Sequence, residues 1–323
     1  MKAHRGGSQR TALVLVLTLA TSTVVVVAAV GLAMVEPAIA TYPGTTGRIA
    51  FAAYVPRLGH EQIFTMQPDG TGRTMLTHSE RADNVNPAWS ADGSQIVFER
   101  DFAHTADIFA ISADGTGEHR ITHFRFSGAP FFSPDGTTIV FGHDDPRTHQ
   151  SAIWIANADG SGDPRLVASD LHRWAELAYP QFSPDGEQIN FTRYGYGGRS
   201  AIFIVNVDGS GMRRLTDWDL GAAAGSYRPD GSMLAFNSYS ESSLGESGNI
   251  YTVAADGTGL TQLTHNDDGG ATNAFGASWS PDGTRIVFAQ NGDVYTMDAG
   301  GSGLVQITNG PLGEHNSDWG SHP

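Results

Sequence analysis

The chain runs to 323 residues with no cysteine, 40% of them hydrophobic and 16% charged. Thiol catalysis and a disulfide framework are therefore excluded. Its 34 acidic and 19 basic residues give a formal charge of −15, which argues against nucleic acid and anionic lipid as partners.

Residues 1–40 begin with Lys2, Arg5 and Arg10, continue through an apolar run over 12–35 and end in Glu36-Pro-Ala-Ile-Ala40. The Ala38-Ile-Ala40 triplet has the small-x-small pattern of a signal-peptidase site, so export with cleavage after Ala40 is expected. The other reading is an uncleaved anchor, because the run is long enough to span a bilayer; membrane contact is expected only in that case. Both readings place the remaining chain outside the cytoplasm, periplasmic or secreted, and export without disulfides suits a bacterial envelope protein. Cleavage would leave 16 basic and 33 acidic residues, a formal charge of −17. Residues 41–46 read as a short linker with no room for a further domain before the first strand.

From Gly47 onward two turn signals interleave. The first is typified by Ala277-Ser-Trp-Ser-Pro-Asp-Gly-Thr-Arg-Ile-Val-Phe288: a short strand, a tight turn and a second strand. Proline presets the second turn position and glycine accepts a positive φ. Its Asp-Gly recurs at Asp92, Asp135, Asp185, Asp230 and Asp282, with spacings of 43, 50, 45 and 52 residues. The second signal recurs as Asp-Gly-Thr/Ser-Gly at Asp69, Asp114, Asp159, Asp208 and Asp256, with a sixth copy at Gly300-Gly-Ser-Gly303. A period in the forties with four strands per unit predicts an all-β fold, a six-bladed β-propeller of four-stranded antiparallel blades. The surplus strand His315-Asn-Ser-Asp-Trp319 aligns with Val85-Asn-Pro-Ala-Trp89. It is expected to complete the first blade and close the ring, which removes exposed sheet edges. The propeller is then 47–323, with blades at about 47–80 plus 315–320, 86–125, 129–170, 179–219, 225–267 and 276–310.

The short turns fall on one face and describe the scaffold. The longer loops fall on the other, within blades at 54–61, 99–107, 142–151, 192–200 and 237–249, and between blades. Loops that differ from unit to unit are where binding residues are sought. Nine of the twelve histidines map to that face. The candidate binding residues are His78, Asp83, His104, His123, Asp144, His172, Trp174, Asp217, Trp218, His265, Asp267 and His315. Such a rim could bind a divalent metal or a sugar, or respond to pH. However, His78, His123 and His265 all follow the same Leu/Ile-Thr and are partly a repeat position. No histidine pair shows a metal-ligand spacing, so no metal or other cofactor is expected. No nucleophile elbow, His-Glu-x-x-His or phosphate loop occurs either. The recurring rings Trp89, Phe132, Phe182, Tyr227, Trp279 and Trp319, with Phe98, Phe141, Phe191, Phe236 and Phe288, read as packing between blades.

The unit Trp/Phe-Ser-Pro-Asp-Gly-x-x-Ile-Val-Phe, Asp-Ile-Phe/Tyr, Asp-Gly-Thr/Ser-Gly and Leu-Thr resembles the TolB-type WD-like β-propeller repeat, from Gly47 to Trp319. The resemblance implies a six-bladed ring in the periplasm or outside the cell. In that family's namesake the propeller mouth binds a peptidoglycan-associated lipoprotein, and a separate N-terminal domain, with no counterpart here, engages other Tol components. The reading is a non-catalytic, exported binding or scaffold module, a monomer, for an envelope protein or cell-wall glycan through its long-loop face. The alternative is a metal-assisted carbohydrate lyase or hydrolase with His and Asp at the channel mouth.

Overall fold

Two turns that close on themselves build each blade. In blade 3 the Asp135 carboxylate accepts the Ser133 hydroxyl at 2.6 Å and the Thr137 N–H at 3.0 Å, while Ser133 Oγ accepts the Thr138 N–H at 3.0 Å. Gly136 takes a φ of 70°, a left-handed conformation that side chains resist. In the second turn of blade 2, Asp114 accepts the Thr116 N–H at 2.9 Å and its hydroxyl at 2.7 Å. The structure, a computed structural model, describes residues 46–170, 172, 175–242, 245–266 and 273–321. The expected signal segment 1–40, the linker up to residue 45, and the candidates Trp174 and Asp267 lie outside the described residues.

Six four-stranded antiparallel sheets follow one another around a ring. The strand nearest the axis is Asp83–Trp89 in blade 2, Ser127–Phe132 in blade 3, Glu176–Phe182 in blade 4, Ala222–Tyr227 in blade 5 and Ala274–Trp279 in blade 6. Blade 1 takes its inner strand, His315–Ser321, from the far end of the chain, where it pairs with Thr46–Val55. Each inner strand contacts the inner strands on both sides, which closes the circle around an axial channel.

In blades 2 to 6 the inner strand begins two or three residues before the repeat predicts, because it continues through a bulge. The bulge falls three residues before the inner aromatic in all six copies, at Asn86, Ala129, Tyr179, Ala224, Gly276 and Asn316, each with φ between 49° and 66°. The strand register shifts there in every blade. Left-handed backbone costs alanine or tyrosine about 1 to 2 kcal/mol. The preceding blade supplies some of the compensation. The Ala129 N–H donates to Glu99 at 2.9 Å and the Ala224 N–H to Thr192 at 2.8 Å.

The core lies between blades. Trp89, Phe132, Phe182, Tyr227, Trp279 and Trp319 are all buried, as are Phe51, Phe98, Phe141, Phe191, Phe236 and Phe288. Burying each such ring stabilises the fold by roughly 1.5 to 3 kcal/mol. The repeated Leu/Ile-Thr also has a structural task. Thr77, Thr122, Thr216, Thr264 and Thr308 accept the N–H of Ile63, Ile108, Ile202, Ile250 and Val294 at 2.8 to 3.0 Å. That bond replaces the ladder, so the outer strand is only two residues long in those blades. In blade 3 Ala168 takes the threonine's place, and the outer strand Arg165–Asp170 runs for six residues. Three expected loops are corrected: 142–151 is paired as far as Asp145 with Gln150, 99–107 as far as Phe102 with Thr105, and residues 237–249 are the continued hairpin of Met233–Ser242 with Gly245–Ala254, paired as far as Ser242 with Gly245. In 237–249 the Ser, Glu and Gly content masks a strand that the ladder holds.

Candidate functional site

The long-loop face is the end of the ring where every inner strand begins. The first residues of those strands therefore rim the channel mouth, and the rim is lopsided. Blades 5 and 6 supply Ala222-Ala-Ala-Gly-Ser-Tyr227 and Ala274-Phe-Gly-Ala-Ser-Trp279, with no charge. Blades 2 to 4 supply Asp83 and Glu176 from their inner strands and Glu99, Asp101 and Asp144 from the second strands.

At the junction of blades 1 and 2, Asp83 accepts the Glu61 N–H at 2.7 Å and faces His60 Nδ1 at 3.1 Å. Glu61 meets Nε2 of His315 at 2.8 Å. The other ring nitrogen of His315 faces the amide oxygen of Asn316; Asn316 donates to Asn86, and Asn86 donates to Glu99 at 2.8 Å. A polar chain thus runs from the mouth, along the closing strand, into the wall of blade 2. Burial, and then the adjacent Asp101 carboxylate, push Glu99 well above the usual carboxylate range.

A second group lies at blades 3 and 4. Glu176 is half-buried beside Asp144; burial first and that neighbour second raise its pKa well above normal. Burial, with a contribution from Glu176, holds the Tyr194 phenol far above its ordinary range, and the Tyr179 ring meets Tyr194 edge-on at 6.4 Å. His143, on the other side of the strand, is held low chiefly by burial.

Of the sequence candidates, Asp83, Asp144 and His315 come to the mouth. His172 lies on the shoulder of blade 3, where it faces Asp170 at 2.6 Å, and Arg193 donates to the same carboxylate at 2.6 Å. Trp218 is half-buried, its ring 5.6 Å from that of Phe203 and 5.2 Å from the Arg193 guanidinium. Asp217 is exposed and paired with Arg214 at 3.1 Å. His78, His123 and His265 stand exposed just past the outer strands, and His104 at a hairpin tip. They share the face but not the mouth.

Sequence reasoning missed Glu61, Glu99, Glu176, Tyr179 and the two bulge asparagines. One signal was available for Glu99. The position after the second-strand phenylalanine is Ala52, Glu99, Gly142, Thr192, Asn237 and Ala289 across the six copies. A single carboxylate in that small or neutral column stands out.

Among the described residues no three His, Asp or Glu side chains are placed to hold a metal ion, and no helix is long and apolar enough to cross a membrane.

Residues 172–320 match the family model of the TolB beta propeller domain. Over that span the ring matches the TolB-type propeller, and around its whole circumference it shares that fold. An uncharacterised protein of Agrobacterium fabrum is 30% identical over 125 residues, 38% of this chain and 41% of that protein. The Tol-Pal system protein TolB of Anaeromyxobacter dehalogenans is 28% identical over 110 residues, 34% of this chain and 25% of that one. The match thus spans a quarter to about two-fifths of these relatives' length. Among solved structures, TolB from Acinetobacter baumannii superposes with a TM-score of 0.70 at 20% identity, covering 84% of this chain and 66% of that one. A putative TolB from Agrobacterium tumefaciens gives 0.64 at 19%, covering 83% and 91%. At those identities the likeness is one of fold.

Proposed function

We propose that this TolB-type ring is an exported, non-catalytic binding module that holds an envelope protein against its long-loop face. The contact is centred on the acidic arc of the mouth from Asp83 to Glu176. One observation carries the reading: the buried and half-buried carboxylates Glu61, Asp83, Glu99, Asp101, Asp144 and Glu176, none of them a repeat position, gather at the end of the ring where the loops vary. The carboxylates that do repeat are consumed by their own turns. The curated TolB relatives belong by name to a Tol-Pal system, which favours an envelope protein over a glycan. A lopsided mouth, acidic on one arc and uncharged on the other, suits a partner segment that offers basic and apolar groups together.

The test is crosslinked capture from the native envelope with the full exported chain, beside a Glu61→Gln, Asp83→Asn double variant. A protein retained by the natural ring and lost by the variant supports the reading. Equal retention by both overturns the mouth as the site. Capture of glycan alone, unaffected by the variant, overturns the protein partner.

A further inference from the structure

We propose that the closing strand His315–Ser321 is a proton-controlled latch: it is seated most firmly in acid, where the released strand also keeps the Asp318 proton, and loosens as pH rises toward neutrality and the released carboxyl gives that proton up.

The case starts from topology. Every other strand of blade 1 comes from the N-terminal end of the described chain; this one arrives from the opposite end and is held by non-covalent contacts alone. The fit is close. Trp319 is buried, and Gly320 lies so near the Trp89 ring that an added Cβ would come within 2.4 Å of it. Beside them Asp318 is fully buried at the meeting of three blades. One of its oxygens accepts the Trp89 N–H of blade 2 at 2.9 Å, and the other meets the Ser278 hydroxyl of blade 6 at 2.9 Å. Across the blade its backbone partner is Ala50. The groups facing the carboxyl are thus neutral. The base on this side, Arg285 of blade 6, lies over the Trp319 ring at 6.0 Å. On the strand's other side the polar chain from Glu61 through His315, Asn316 and Asn86 ends on the Glu99 carboxyl, with Asp101 next to it.

An ionised carboxylate in that position is shut away from solvent and has only neutral donors, the Trp89 and Trp319 N–H groups and the Ser278 hydroxyl. Burial therefore raises the Asp318 pKa from 3.8 to about 8. The sign follows from linkage. The seated strand binds a proton that the released strand gives up above its ordinary pKa. Seating is firmest below that ordinary value, weakens as pH rises and reaches its floor as pH passes about 8. Each pH unit inside the window shifts the open-to-seated ratio about tenfold. The same strand carries His315 to the mouth, so release also separates the Glu61–His315 pair.

Hydrogen exchange of residues 316–321 and of the Trp89 amide, corrected for intrinsic rates, tests this between about pH 5 and 8. Protection in the natural protein should fall about tenfold per pH unit. Asp318→Asn, which keeps the shape but cannot ionise, should give a flat profile, and Glu99→Gln should leave the slope in place. Protection independent of pH in the natural protein overturns the latch, as does a slope that survives in Asp318→Asn. A slope abolished by Glu99→Gln alone overturns the assignment to Asp318. If Asp318→Asn does not fold, a carboxyl-carbon NMR titration of the natural protein decides. Titration near 8 supports the latch, and titration near 4 defeats it.

Discussion

The two faces of the ring use the same chemical group under opposite conditions. On the short-turn face Asp92, Asp135 and Asp185 accept hydroxyl and amide protons from residues two positions away, which hold each carboxylate below its usual range. On the long-loop face Glu99 and Glu176 are pushed the other way by burial, with a neighbouring carboxylate as the second cause. A repeated acid satisfied by its own turn has little left to offer a partner. An acid held above its usual range beside another acid, fully buried like Glu99 or half-buried like Glu176, gains when a cation or donor arrives. The difference separates scaffold from candidate site more sharply than residue type or exposure does.

The largest effect should come from neutralising the blade 3 and 4 part of the arc. Asp144→Asn with Glu176→Gln should weaken partner capture tenfold or more, in line with the loss of charged groups at an interface centre. The same change should raise stability at neutral pH. The folded-state pKa of Glu176 is raised, so its stabilising contribution is present at low pH and lost as pH rises through that value. Removing the ionisable group removes that loss. Unfolding midpoints at pH 5 and 8 check the claim. A variant that binds as before, or is destabilised equally at both pH values, breaks the comparison.

A smaller and opposite effect is expected on the short-turn face. Asp135→Ala removes the acceptor for Ser133 and Thr137 and should cost about 1 kcal/mol of stability, as the loss of a helix cap does, with capture unchanged. The pH dependence runs the other way from Glu176. The folded-state pKa of Asp135 is depressed, so its contribution is present above the unfolded value and lost as pH falls through the folded one. Acid unfolding curves of the two variants should therefore diverge. Parallel curves would show that the two faces do not differ in kind.

Much of the ring was legible because its determinants are local. A proline, an aspartate and a glycine within four residues specify a turn, and eleven turns in register specify six blades; even the closing strand could be matched from Trp319 to Trp89. The bulges were not legible. Gly276, Asn86 and Asn316 are residue types that accept left-handed backbone, whereas Ala129, Tyr179 and Ala224 are not, and the N–H groups of Ala129 and Ala224 are held there by the preceding blade. The mouth was half legible for the same reason. Asp83, Asp144 and His315 stand in variable loops or beside them, whereas Glu61, Glu99 and Glu176 become important only when strands from different blades are brought together.

The smallest effect is expected where the sequence looked richest. His78, His123 and His265 follow the capping threonines Thr77, Thr122 and Thr264, and all three are exposed at the ends of two-residue outer strands. Their recurrence is inherited from the threonine, whose hydroxyl ends the strand; the histidine that follows has no matching structural task. The triple change to alanine should alter stability by less than about 0.5 kcal/mol and capture by less than twofold. Changing Thr122 to alanine instead should cost about 1 kcal/mol, because the Ile108 N–H is buried and loses its acceptor. Calorimetry of the two variants side by side decides which residue of the pair the repeat preserves. A histidine triple variant that fails to bind would move the candidate site from the mouth out to the rim.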